Sequence, residues 1–156
     1  MHMGDSLDGL LALLEATDDP VYSEMPGGFD AGAFEGRLKR FKAFAAGLQA
    51  TVGTDCAAET WPQVQDASFV GDVSIPPRLL ATDEVARVVI SHFGDFAAMS
   101  DGDSLVSPDT LARIKSVVRE HGYVWIPGEV LDQPYTGANR GVSGFRSWRN
   151  RYFDYV

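Results

Sequence analysis

The chain has 156 residues with 45% hydrophobic and 22% charged side chains, ordinary values for one globular domain of roughly 100–150 residues. That composition excludes disorder over the whole length, and the size removes any need for a disulfide or metal to complete the core. The net charge is −9, which sets the chain apart from most nucleic-acid binders with their basic domains.

The N-terminus lacks a basic region, and its longest apolar run, Leu10 to Leu14, is shorter than a signal core of about 7–15 residues or a membrane span of about 20. The expectation is a cytoplasmic protein with no membrane segment. His2 and Met3 read as a cloning remnant. Leu7, Leu10, Leu11 and Leu14 then form the stripe of a short helix, capped by Asp5 or Ser6 and ended at Asp18-Asp19-Pro20. Residues 20–29 read as a loop. Asp30 caps a second helix, in which Phe34, Leu38, Phe41, Ala45 and Leu48 recur at helical spacing to about Gln49. Its basic run, Arg37, Lys39, Arg40 and Lys42, reads first as a solvated face and second as an anion site.

From residue 54 the signals turn to strands. Cys56 to Trp61 is a short one stopped by Pro62, and Ala67 to Ile75 is another, with Gly71 as a candidate bulge and Pro76-Pro77 as its end. Val85 to Phe93 is the strongest, with Val88 and Ile90 on one face; Gly94-Asp95 reverses it into Phe96 to Met99, a hairpin. Ser107-Pro108 opens an amphipathic helix through Leu111, Ile114, Val117 and Val118, which Gly122 closes. Tyr123 to Ile126 is a last strand, followed by a glycine-rich loop. Phe145, Trp148, Tyr152 and Phe153 favour a terminal helix by spacing. Because strands and helices do not alternate strictly, the expected architecture is a single α+β domain over residues 1–156. It has an antiparallel or mixed sheet of about four to five strands and helices packed mainly on one face.

Charge is segregated along this order. Residues 1–30 carry seven acids and no bases, residues 31–50 one acid and four bases, residues 51–110 ten acids and two bases, and residues 111–156 four acids and seven bases. Such blocks can neutralise one another internally or present a one-signed face to a partner.

Most catalytic signatures are missing. Asp101-Gly102-Asp103 begins like a calcium loop but lacks the later ligands, and Ala112 stands where the last carboxylate belongs, so a capped turn is favoured. Gly141-Val142-Ser143-Gly144 is one residue short of a nucleophile elbow. No phosphate loop, dinucleotide fingerprint or zinc ligand set is present, so no cofactor and no metal are expected. The lone Cys56 cannot form an internal disulfide, which suits a reducing compartment, and Asp55 and Glu59 beside it disfavour a reactive thiolate.

Three groups of residues remain. Asp66, His92 and Asp95 could do acid–base work if the strands brought them together, with Arg140 as an anion clamp; the alternative is a turn cap and a histidine bonded within the sheet. Arg140, Arg146, Trp148, Arg149 and Arg151, with the aromatics among them, suit a protein interface or, less well on an acidic chain, RNA. The reading set against both is a final helix that buries its aromatics while its arginines pair with the acidic N-terminal half. The third group is the loop Pro134 to Gly141, which could cover a pocket or serve as a plain surface connection.

The segments Gln65-Asp66-Ala67-Ser68-Phe69, Ile90 to Phe96, Pro134-Tyr135-Thr136-Gly137 and Arg151-Tyr152-Phe153-Asp154-Tyr155 resemble a family of small, uncharacterised acidic bacterial proteins of the immunity-protein type. The resemblance spans about the last ninety residues and includes no catalytic motif. Together with the missing catalytic set, the acidity and the Arg/aromatic terminus, it points to a cytoplasmic protein-binding domain, an immunity-type inhibitor of a basic toxin. The alternatives are a small-ligand binder or hydrolase-like enzyme using Asp66, His92, Asp95 and Arg140, and an RNA binder using the C-terminal cluster. A protein partner is expected, a homo-oligomer through the aromatic terminus is open, and nucleic acid is disfavoured by charge.

Overall fold

A computed structural model describes residues 6–18, 31–60, 71–80, 86–91, 95–100, 102–137 and 146–153. Among these described residues five α-helices and five strands run in the order α1 (Leu7–Thr17), α2 (Ala31–Thr51), β1 (Ala57–Thr60), β2 (Gly71–Ser74), β3 (Arg87–Ile90), β4 (Phe96–Met99), α3 (Pro108–Glu120), β5 (Val124–Trp125), α4 (Gly128–Leu131) and α5 (Trp148–Tyr152). The strands lie side by side in chain order. The first three pairings are antiparallel and β4–β5 is parallel, so the fold is α+β on a mixed sheet in one domain.

Local chemistry explains the element ends. Ser6 caps α1 by accepting from the Gly9 amide at 3.0 Å. Ser107 does the same for α3 through Thr110, with Pro108 at the first helical position, where its missing N–H is no loss. At the far end of α3, Gly122 takes φ +81. The Gly122 amide donates to Arg119 and the Tyr123 amide to Val118, which closes the helix and points the chain straight into β5. Helix α3 is therefore the crossover that a parallel β4–β5 pair requires. The β3–β4 hairpin pairs Val88 with Met99 and Ile90 with Ala97, and the Ser91 amide and hydroxyl hold Phe96 at the reversal.

Period-two alternation divides the core into two layers. Val73, Ile75, Val88, Ile90, Ala97 and Met99 face one way, against Phe41, Phe44 and Leu48 of α2 and Ile114, Val117 and Val118 of α3. The two longest helices thus share one face. Phe96, Ala98 and part of Val89 face the other way, under Leu10 and Leu14 of α1, Val130 and Leu131 of α4, and Trp148 and Tyr152 of α5. No local sequence pattern marks this second, smaller layer, because its helices are short and widely separated along the chain.

Gly71 is not a bulge: it pairs one-to-one with Thr60 in an unbroken register. Glycine stands there because a Cβ would lie 2.2 Å from the Glu59 carbonyl oxygen and 2.7 Å from the Phe41 ring, at a φ of +155. Gly36, within α2, has nothing within 4 Å of a built Cβ. Gly71→Ala is therefore expected to destabilise by about 2 kcal/mol or more, by steric strain in a packed sheet. Gly36→Ala should stabilise by about 0.5–1 kcal/mol, through helix propensity. Urea unfolding of the two variants checks both signs.

Candidate functional site

Trp148, Arg151 and Tyr152 of the C-terminal cluster are interior. Trp148 and Arg151 are each 1% exposed, and Tyr152 is fully buried. Tyr152 packs edge-on to Phe96 and lies nearly parallel to Trp148, while Tyr135 meets Trp148 edge-on at 4.7 Å between ring centroids. The Arg151 Nε donates to Asp18 Oδ1 at 2.7 Å, and the Tyr135 hydroxyl donates to Asp18 Oδ2. The Tyr152 hydroxyl donates to the Leu14 carbonyl at 2.6 Å, which secures the end of α1. Arg149 is partly covered and reaches three acceptors: Asp132 at 2.8 Å and the carbonyls of Met99 and Ser100. Trp148 and Arg151 are thus unavailable as contacts for a protein or RNA, and Arg149 is largely committed within the chain. Arg146 is exposed, and Arg140 lies outside the described residues. The acidic N-terminal block supplies Asp18, the partner of Arg151; the partner of Arg149 comes from α4's end instead.

Of the acid–base candidates, Asp66 and His92 lie outside the described residues. Asp95 is exposed and paired with Arg40 at 2.8 Å. The same guanidinium sits 4.1 Å from the Tyr123 ring centroid, and Arg37 donates to the Ser91 carbonyl at 2.9 Å. Two of the four bases on α2 therefore hold the mouth of the β3–β4 hairpin, while Lys39 and Lys42 face solvent. Desolvation lowers the Arg37 pKa and raises that of Tyr123.

The turn at Asp103 is structural. Its two carboxylate oxygens accept from the Trp125 indole and the Gly128 amide. Among the described residues no three His, Cys, Asp or Glu side chains are grouped to hold a metal ion, and no helix is long and apolar enough to cross a membrane. Cys56 is buried, and burial first, then the neighbouring Asp55, pushes its thiol pKa up. That thiol is a packing group with little thiolate at neutral pH.

A feature that sequence reasoning missed lies at the β5 edge of the sheet. An open groove of about 480 Å³ runs between α1 and α3, floored by Tyr123, Val124, Trp125 and Pro127. Leu10 and Leu13 form one wall, and Lys115, Val118 and Arg119 the other. Leu13 and Val124 are 37% and 38% exposed, high values for large apolar side chains. The only sequence signal for it was the i,i+4 pair Lys115 and Arg119 beside Val118.

No family model matches the chain, and no curated protein or solved structure matches it.

The buried carboxylate–guanidinium contact supports a first prediction. Arg151→Met leaves the Asp18 carboxylate, itself 3% exposed, without its cation and should destabilise by about 3–5 kcal/mol. Combining it with Asp18→Asn should cost less than the sum of the two single changes, as a double-mutant cycle in urea will read. A second concerns alkaline pH. Burial first, and then the Asp18 charge, raises the Tyr152 pKa, and burial raises those of Tyr123 and Cys56. The folded state keeps protons that the unfolded chain releases, so this stabilisation is complete below the unfolded values of about 8.5 for Cys and about 10 for Tyr. It is lost as pH rises beyond them, at up to about 1.4 kcal/mol per pH unit per group. Unfolding free energy should therefore fall above about pH 8.5 and more steeply above about pH 10. Tyr152→Phe should make that fall shallower.

Proposed function

We propose that this chain is a protein-binding domain that acts by docking on another protein, as a cytoplasmic immunity-type inhibitor of a basic toxin. The observation that carries the reading is the open apolar groove at the β5 edge, with Leu13 and Val124 half-exposed beside it. A concave surface with exposed apolar side chains and a charged rim is a form that protein contacts take.

The remaining surface supports the sign of the partner. Asp8, Glu15, Glu35, Glu59, Glu120 and Glu129 are exposed and carry no ion pair among the described residues. With a net charge of −9, they would draw in a basic protein at long range and speed its association. The single buried thiol, Cys56, accords with a reducing cytoplasm.

Co-purification of the tagged chain with the product of a neighbouring gene tests the reading. A stable complex with a basic protein whose toxicity disappears on binding is the expected result. Its association rate constant should fall about tenfold or more between roughly 10 mM and 500 mM salt while dissociation changes little. Exhaustive capture that yields no protein partner would remove the proposal.

A further inference from the structure

Strand β5 ends the sheet, and its backbone is half used. The amides of Val124 and Ile126 donate inward, to Asp95 and Ala97. In a parallel ladder that leaves the N–H and C=O of Trp125 directed at the outer edge, into the groove. The groove's two walls differ in chemistry. On the α1 side it offers Leu13, with Leu10 buried behind it and Val124 of β5 beside it; on the α3 side it offers Lys115 and Arg119, which have no ion-pair partner among the described residues.

We propose that this groove receives an extended segment of the partner protein as a sixth strand, and that the segment alternates apolar and acidic residues. The inference rests on the protein-binding reading and gives it a mode of contact. An added strand sends successive side chains to opposite faces of the sheet. One set meets the leucines of α1, and the other meets the lysine and arginine of α3. Backbone bonding at the edge supplies attachment, and the two unlike walls supply selectivity and orientation. The long-range field of the domain is negative, so the acidic segment is a local feature of a partner that can be basic elsewhere. A second copy of the chain is a poor occupant. Two-fold pairing of β5 edges brings α3 beside its own counterpart, setting Lys115 and Arg119 against the same two cations.

The test uses the full chain and a blocked heptapeptide of alternating glutamate and valine. Titration followed by NMR should give saturable shifts at Leu13, Val124 and Trp125 and slow the hydrogen exchange of the Trp125 amide. Lys115→Glu with Arg119→Glu should weaken binding at least tenfold, and the peptide with lysine for glutamate should not bind. Leu13→Asp, at a half-exposed position where the fold tolerates charge, should abolish the shifts while leaving the circular dichroism unchanged. Absence of saturable shifts at millimolar peptide, or shifts mapped elsewhere, would overturn the proposal. So would decanoate displacing the peptide with no slowed exchange in the peptide's presence, which indicates a site for small amphiphiles. A dimer in sedimentation that Leu13→Asp dissolves would also overturn it, in favour of self-pairing. If a captured partner binds the Leu13→Asp variant undiminished, the groove inference fails and the protein-binding reading stands. If the peptide binds as stated and no basic toxin is ever captured, the groove inference stands and the immunity-type reading fails.

Discussion

The second layer of the core is organised around one enclosed charge. Asp18, at the end of the first helix, receives Arg151 and Tyr135 in a space closed to water, 133 and 117 residues away along the chain. A carboxylate in that position demands a cation and a hydrogen-bond donor, since burying it alone would cost several kcal/mol. Meeting that demand brings α5 beneath α1 and sets Trp148, Tyr152 and Phe96 against one another. Hydrophobic burial supplies most of the stabilisation in this layer. The ion pair fixes where the terminal helix sits, by setting Arg151 against Asp18.

This enclosure changes how the charge segregation reads. By sequence the basic C-terminal block suits an interface or an interior equally; in the fold Arg151 serves the interior and Arg149 ties α5 to the end of β4 through the Met99 and Ser100 carbonyls. The basic run of α2 is divided in the same manner. Arg37 and Arg40 staple the hairpin mouth while their lysine neighbours stay in water. Arginine is suited to the stapling, since its planar fork makes several directed bonds and stacks on Tyr123, whereas lysine keeps a strongly hydrated point charge. One pair of opposite charges far apart in the chain, Asp18 and Arg151, thus cancels inside the molecule, while Arg40 with Asp95 and Arg149 with Asp132 pair nearer the surface.

What the surface retains after that cancellation is a groove with an apolar wall and a basic wall on either side of an unfinished sheet edge. Neither wall is distinctive alone. Leucines on α1 could belong to a core, and a lysine and arginine four residues apart on α3 are ordinary for a solvated helix. Their meaning comes from standing on opposite faces of the same strand, where a period-two ligand would read both.

The sequence by itself determined most of the elements, α4 excepted, which stands where a glycine-rich loop is expected. Leucine spacing in α1 and Ser107-Pro108 and Gly122 around α3 act within a few residues, so propensity and capping make them legible without any distant contact. The α+β class followed from their order. Only the tertiary structure decided that helices cover both faces, that β5 joins β4 in parallel, and that Trp148 and Arg151 are core residues. The aromatic spacing of the last helix is the same whether it packs or docks. The choice depended on Asp18 and Tyr135, residues that locally look like a helix stop and a loop. Pairing across such distances costs loop-closure entropy, and enclosure of the whole layer is what compensates for it. The groove has the same origin: its walls lie about a hundred residues apart, and no local signal joins them.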